Sequence, residues 1–270
     1  MNRHDISTDP IADLVPPEFL NKAWYHFSVD DVFDSLIDVT KRDIPLFSHP
    51  FFALLKEVND QYDIQVDLEL FWSKEIDGVL YTLKDVRDLT SEIKEVGSWL
   101  RFAPHADSYM VPPFEQTSDE QKVVFDKIYN EIDRFAGKSL CGKWVRLHYY
   151  SEMYEMANYF QQKGVTALFS TDRPVGSHRM PKEVANQLLQ FGFAQFEKMN
   201  FIRTQFRVEE MTNSRTTDEK MTALFTEGLE KYGYITFYSH EYEFARSEVR
   251  EVFRRMFKIL HKIGCVSIKQ

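Results

Sequence analysis

Ala23-Trp24-Tyr25-His26-Phe27-Ser28-Val29 is a short apolar run that stops at two carboxylates, Asp30-Asp31. Three more runs stop at a histidine: Trp99-Leu100-Arg101-Phe102-Ala103-Pro104-His105, Trp144-Val145-Arg146-Leu147-His148 and Tyr234-Ile235-Thr236-Phe237-Tyr238-Ser239-His240. A buried parallel strand reads as a brief apolar run. A polar residue at its C-terminal tip faces the crevice where barrels and open α/β sheets keep their chemistry. Two carboxylates and three imidazoles delivered to one crevice suit a metal site. Four such tips in one chain point to a common site.

Working outward, further strand candidates lie at 63–71, 165–169 and 201–209. Amphipathic stretches separate the strands. Residues 47–60 carry Phe51, Leu54, Leu55 and Val58 at helical spacing, and residues 121–136 carry Val124, Ile128, Ile132 and Phe135. Residues 181–198 and 247–263 follow the same pattern. Gly164 and Gly233 stand just before strands and read as helix-ending residues. Alternation of strand and helix predicts a parallel sheet, because parallel neighbours need a crossover. The expected architecture is a single-domain α/β fold, a seven-stranded parallel (β/α) barrel over residues 23–270. A polar arm at 1–22, broken by Pro10, Pro16 and Pro17, precedes it. Two long loops, 105–120 and 170–185, follow strand ends and are expected to wall the site.

The bulk properties agree. A chain of 270 residues is ordinary for an α/β barrel. The apolar fraction of 43%, with 23 Phe and 13 Tyr, suffices for a large core. Charged residues at 28% and a mean hydropathy of −0.41 belong to a globular, water-soluble class. A net charge of −9 argues against a nucleic-acid partner, which needs clustered Lys and Arg. Cys141 and Cys265 form no CxxC and no disulfide framework, so a reducing compartment is expected. The first ten residues lack the apolar core of a secretory signal, which predicts a cytoplasmic location. No apolar run approaches the ~20 residues of a membrane span.

Asp30-Asp31 is the strongest candidate pair. Neighbours on a strand point to opposite sides, so the two are expected to take different roles, one as metal ligand and one as base. The plainer alternative is a carboxylate capping the helix that Val32-Phe33-Asp34-Ser35-Leu36-Ile37 suggests. His105 precedes a Pro-containing loop, with Asp107 nearby as a carboxylate to fix its tautomer. His148 has aromatic neighbours and also admits a packing role. His240 and Glu241 suit a general acid and the group that orients it, or a rim His beside a helix cap. His26 reads as structural, and His4, His49, His178 and His261 have no evident partner. Asp67 and Glu69 share one face of a strand and suit a glycosidase pair. Trp72, Tyr109, Tyr149, Tyr150, Tyr238 and Tyr242 offer flat faces on which sugar rings stack.

These motifs resemble the polysaccharide deacetylase superfamily, the carbohydrate esterase family-four type of distorted (β/α)7 barrel, over about residues 23–262. Phe27-Ser28-Val29-Asp30-Asp31 is similar to the family's first motif. The resemblance implies that Asp30 is the general base and Asp31 a metal ligand. Phe102-Ala103-Pro104-His105 falls where the family places its metal-binding histidine, and Tyr238-Ser239-His240-Glu241 where it places its late histidine, the general acid. Val32 stands where the family usually has Gly. Tyr109 stands where it has a second histidine, and His148 is the substitute ligand. Arg146 and Arg207 are the candidates for the arginine that braces the catalytic Asp.

The reading that results is a metal-dependent hydrolase removing an N-acyl group, acetyl by preference, from an amino sugar. Asp31, His105 and His148 hold a divalent metal, Zn²⁺ by ligand type; Asp30, His240 and Glu241 do the proton work. Two alternatives stand beside it. One is a metal-free barrel that binds a saccharide or a protein. The other is a glycoside hydrolase using Glu69 with Asp30 or Glu241.

Overall fold

The computed structural model describes residues 11, 14–97, 99–151, 154–171, 180–213 and 216–270. The first part of the chain forms β1 (Trp24–Val32), α1 (Asp34–Lys41), α2 (Pro50–Tyr62), β2 (Val66–Phe71), β3 (Ser73–Ile76), β4 (Val79–Thr82) and α3 (Thr90–Val96). The middle forms β5 (Leu100–Ala106), α4 (Ser118–Phe135), β6 (Trp144–Val145), α5 (Ala157–Gln162) and β7 (Ala167–Ser170). The last part forms α6 (Lys182–Phe191), β8 (Phe193–Phe196), β9 (Met199–Arg203), β10 (Phe206–Arg207), α7 (Asp218–Tyr232), β11 (Tyr234–His240), α8 (Ser247–Lys262) and β12 (Val266–Ser267).

Strands β10, β11, β1, β2 and β5 lie side by side, all parallel. Strands β6, β7 and β9 form a second parallel group. The two groups meet at two seams. At one, Gly142 N donates to Phe102 O at 2.9 Å. At the other, Thr204 N donates to Ser170 O at 3.1 Å and Gln205 N to Thr236 O at 3.0 Å. The result is a distorted parallel barrel with helices outside. Every strand segment expected from the sequence overlaps a parallel strand of the barrel; the segment 201–209 meets two, β9 and β10, so the described residues give eight parallel barrel strands where seven were expected. The β3–β4 hairpin, β8 and β12 are additions to it.

All nine residues of β1 are buried, yet its two faces differ. Tyr25 and Phe27 pack outward on Phe257 and Phe253 of α8, with ring centroids 5.6 and 5.2 Å apart. Helix α8 buries Val249, Val252, Phe253, Met256, Phe257 and Leu260, a stripe at the spacing a surface helix needs. The inward face carries His26, Ser28 and Asp30, all buried. A hydrophobic layer therefore lies between sheet and helices, while the barrel interior carries its polar groups toward the mouth, above Trp24, Trp144 and Tyr234 clustered at its base.

Three expectations need adjustment. The helix expected over 181–198 ends at Phe191, because Gly192 takes φ 76° and turns the chain into β8. A Cβ at Gly192 would lie 2.7 Å from both Tyr232 and Tyr234, so only glycine fits that turn. The arm is not uniformly polar: Val15 and Phe19 are buried in a cluster with Trp24, Trp144, Tyr234 and Ile268, while residues 1–10, 12 and 13 lie outside the described residues. Of the loop at 170–185, residues 172–179, including His178, lie outside the described residues, and α6 already begins at Lys182. Among the described residues, no helix is long and apolar enough to cross a membrane.

Candidate metal centre

A bulge in β1 builds the site. Val29 pairs with Leu68 and Val32 with Leu70, so three steps on β1 match two on β2. The extra residue sits at Asp30-Asp31, and Asp31 takes the left-handed φ of 62°. Such a bulge re-aims a side chain. The expectation that the two carboxylates point to opposite sides is thereby corrected: both enter the mouth of the barrel, Asp30 by strand parity and Asp31 by the bulge.

Asp31 Oδ1 lies 3.2 Å from His105 Nε2 and 3.4 Å from His148 Nδ1. Those two nitrogens are 3.2 Å apart. The remaining ring nitrogens are held by backbone carbonyls. His105 Nδ1 donates to Arg146 O at 2.7 Å, and His148 Nε2 donates to Tyr109 O at 3.2 Å. With those tautomers, His105 Nε2 and His148 Nδ1 both present lone pairs to the carboxylate. All three residues are buried, and Asp31 Oδ1 has no hydrogen-bond partner. Three acceptor atoms facing one another out of water are costly unless a cation lies between them. Tetrahedral bonds of about 2.0–2.1 Å place neighbouring ligand atoms about 3.3–3.4 Å apart. The observed edges of 3.2, 3.2 and 3.4 Å match that face. The donor set and its dimensions fit a divalent ion of the Zn²⁺ kind.

Asp107 does not fix the His105 tautomer; the Arg146 carbonyl does. Tyr109, at the position where the resemblance places a histidine, supports His148 through its backbone oxygen instead.

Asp30 is braced from inside the barrel. Arg146 Nη1 donates to Asp30 Oδ1 at 3.2 Å and also to Ser28 Oγ, and Nη2 donates to Thr204 Oγ1 at 3.2 Å. The guanidinium lies between the rings of Phe169 and Tyr238, 4.6 and 4.3 Å from their centroids. Arg207, the other candidate for this brace, lies instead over the Tyr238 ring and 3.6 Å from Glu210.

His240 stands opposite Asp30 in the β1–β11 register. Its Nδ1 donates to Glu209 Oε1 at 2.8 Å, leaving Nε2 to face the site. Ser239 Oγ donates to the other Glu209 oxygen at 3.0 Å. Burial would lower the His240 pKa, but Glu209, with the charges of Asp30 and Asp31, raises it above the ordinary histidine value. Sequence reasoning missed Glu209, although it follows a strand tip, Phe206-Arg207-Val208, by the same rule that nominated the histidines.

Glu241 requires a correction. It does not orient His240. Its Oε2 accepts the backbone N–H groups of Phe33 and Asp34, each at 2.9 Å, and its Oε1 accepts that of Ser35 at 2.7 Å. It is the carboxylate that caps α1, satisfying donors that a helix start leaves open.

Asp67 and Glu69 sit deeper and are fully buried. Asp67 accepts from Gln65 and Gln270 and pairs with His26 at 2.8 Å, which gives His26 its structural place. Burial, then the charges of Asp30 and Asp67, raise the Glu69 carboxyl well above its ordinary value. The rim is aromatic: Tyr109 and Tyr149 flank His148 with centroids 5.4 and 4.2 Å away, and Tyr242 stacks on His240 at 5.2 Å. A separate groove of about 900 Å³ runs between α1, α2 and the start of α8; none of the three ligand candidates lines it.

No family model matches the chain. A search of curated proteins likewise finds no match. Solved structures do resemble it. A family 4 carbohydrate esterase from Streptomyces lividans, in complex with acetate, gives a TM-score of 0.50 at 9% identity, covering 91% of this chain and 91% of that one. A peptidoglycan N-acetylglucosamine deacetylase gives a TM-score of 0.54 at 11% identity, covering 94% and 87%. A 4-alpha-glucanotransferase from Thermococcus litoralis gives a TM-score of 0.57 at 14% identity, but this chain spans only 37% of it. These likenesses show the fold: the chain has the polysaccharide deacetylase-like (β/α) barrel.

Proposed function

We propose that this protein is a metal-dependent hydrolase that cleaves an N-acyl amide, acetyl by preference, on an amino sugar. The observation that carries the reading is the triangle of three lone-pair atoms from Asp31, His105 and His148, with a braced carboxylate and a histidine held by Glu209 beside it. Asp31, His105 and His148 would hold the divalent ion, Zn²⁺ by ligand type. When bound, such an ion polarises the amide carbonyl and acidifies the attacking water.

The chain's own residues supply the proton transfers. Asp30, fixed by Arg146, takes a proton from the attacking water as its oxygen bonds to the carbonyl carbon. His240, whose protonated form Glu209 favours, gives a proton from Nε2 to the amide nitrogen as the C–N bond breaks. Water is consumed, and the products are a carboxylate and an amine. Asp30 and His240 end with one proton gained and one lost, so an exchange with solvent resets the pair. The aromatic rim of Tyr109, Tyr149 and Tyr242 offers faces for a pyranose ring.

The same contacts weaken the alternatives. Glu241 has both oxygens committed to α1, and Glu69 is sealed from solvent, so neither suits a glycosidase pair. A barrel that has lost its metal site would not need to retain three acceptors turned inward.

The test is metal content and amide hydrolysis on the same protein. Protein prepared without chelator is expected to hold about one divalent ion per chain by elemental analysis. It should release acetate from N-acetylated amino-sugar oligomers. Asp31→Ala and His105→Ala are expected to lose most of both. Full occupancy in both variants would rule these residues out as ligands. Metal loss with unchanged acetate release would rule out the chemistry.

A further inference from the structure

We propose that Glu69 is a positioning residue for the metal centre: its buried carboxyl, reaching from β2 beneath β5, holds the backbone of Arg146 in the geometry that aims His105 and His148. The inference rests on the metal site proposed above.

The need for such a residue comes from the seam between β5 and β6. These strands share one bridge, Phe102 with Cys141, near the base of the barrel. Strand β6 is only Trp144–Val145, and it is laddered to β7, not to β5. Among the described residues, no backbone hydrogen bond crosses the seam at the height of the ligands. Yet two of the three ligands lie on its two sides, His105 on β5 and His148 just beyond β6.

Arg146 bridges the gap in three directions. Its carbonyl accepts from His105 Nδ1 at 2.7 Å. Its guanidinium holds Asp30. Its N–H donates to Glu69 Oε1 at 3.1 Å, which reaches it from β2 beneath β5. Glu69 therefore takes the place of the missing ladder bond. Its path is open because its register partner on β5 is Ala103, whose single methyl leaves room beneath the strand. Without the Glu69 bond, a buried N–H would be orphaned and the Val145–Arg146 peptide plane would lose its anchor. The carbonyl that sets the His105 tautomer leaves the same Arg146 Cα in the next peptide plane, so a shift of that Cα carries it along, and His148 is two residues on.

This geometry separates Glu69 from a charge-based role. The bond needs an acceptor oxygen at the right reach, not a negative charge, and burial favours the neutral acid. Glutamine supplies the same oxygen at the same reach, while aspartate is one methylene short and leucine offers none.

The experiment is competitive Zn²⁺ titration against a chromophoric chelator, with melting temperature measured on the metal-free forms. Glu69→Gln is expected to bind Zn²⁺ within about three-fold of wild type. Glu69→Asp and Glu69→Leu are expected to bind about 10–100-fold more weakly, the usual cost of losing a group that orients a ligand. Wild-type affinity in Glu69→Leu or Glu69→Asp overturns the proposal. So does a Glu69→Gln protein that loses ten-fold or more, because charge would then matter rather than reach. If Glu69→Leu does not fold, the Asp and Gln variants decide between these outcomes. Failure of the wild-type chain itself to bind Zn²⁺ would instead sink the metal site on which this inference rests.

Discussion

Truncation of Glu241 separates a helix cap from a catalytic group. In the folded protein its two oxygens accept three backbone donors, from Phe33, Asp34 and Ser35 at 2.9, 2.9 and 2.7 Å. A hydrogen bond to a charged group contributes about 1.5–3 kcal/mol, and an orphaned buried donor costs a similar amount. Glu241→Gln keeps an oxygen for Phe33 and Asp34 but turns an amide nitrogen toward the Ser35 N–H. It should cost about 2–3 kcal/mol. Glu241→Ala orphans all three donors, two of them on buried residues, and should cost about 3–5 kcal/mol, the range for breaking a buried charged pair. At about 2–4 °C per kcal/mol for a domain near this size, the melting temperature should fall by about 4–12 °C for Gln and about 6–20 °C for Ala. Calorimetry or urea unfolding on the metal-free proteins reads this directly. Zn²⁺ affinity of the folded fraction should stay within about three-fold of wild type, because His240 is held by Glu209 and no ligand touches Glu241. The capping argument is refuted if Glu241→Ala melts within about 1 °C of wild type yet loses turnover at full metal occupancy.

Asp30→Asn should retain the metal and lower turnover about 10²–10⁴-fold, the usual cost of a missing base, while Asp31→Asn loses both metal and turnover; wild-type turnover in Asp30→Asn removes it from the mechanism. Glu209→Gln should move the alkaline limb of the rate–pH profile to lower pH. His240 acts while protonated and Glu209 raises its pKa, so activity is present below that value and lost as pH rises through it. An unmoved limb would show that His240 is not the titrating acid. The same raised pKa makes the His240–Glu209 pair stabilising below the unfolded histidine value, with that contribution fading as pH climbs through the folded one.

The strand tips were legible in the chain before any folding is considered. Apolar runs ending in Asp30-Asp31, His105, His148 and His240 are local patterns, and a strand's tip needs only its own residues to be recognised. Much of the order of strands and helices followed from the same local periodicities; α3, α7 and the β3–β4 hairpin were not singled out, and at Gly192 one left-handed residue turned an expected helix into a hairpin. Which polar group meets which was settled by the closing of the barrel. Arg146 finds Asp30 across 116 residues, Glu209 finds His240 across 31, and Glu241 finds Phe33 across 208. Nothing in the neighbouring sequence distinguishes a Glu that caps a helix from one that orients a histidine; the difference is which unpaired donor lies within about 3 Å once the barrel closes. The bulge that turns Asp31 inward is of the same kind. Its left-handed backbone is imposed by the mismatch between β1 and β2, and two strands must pair before any mismatch exists.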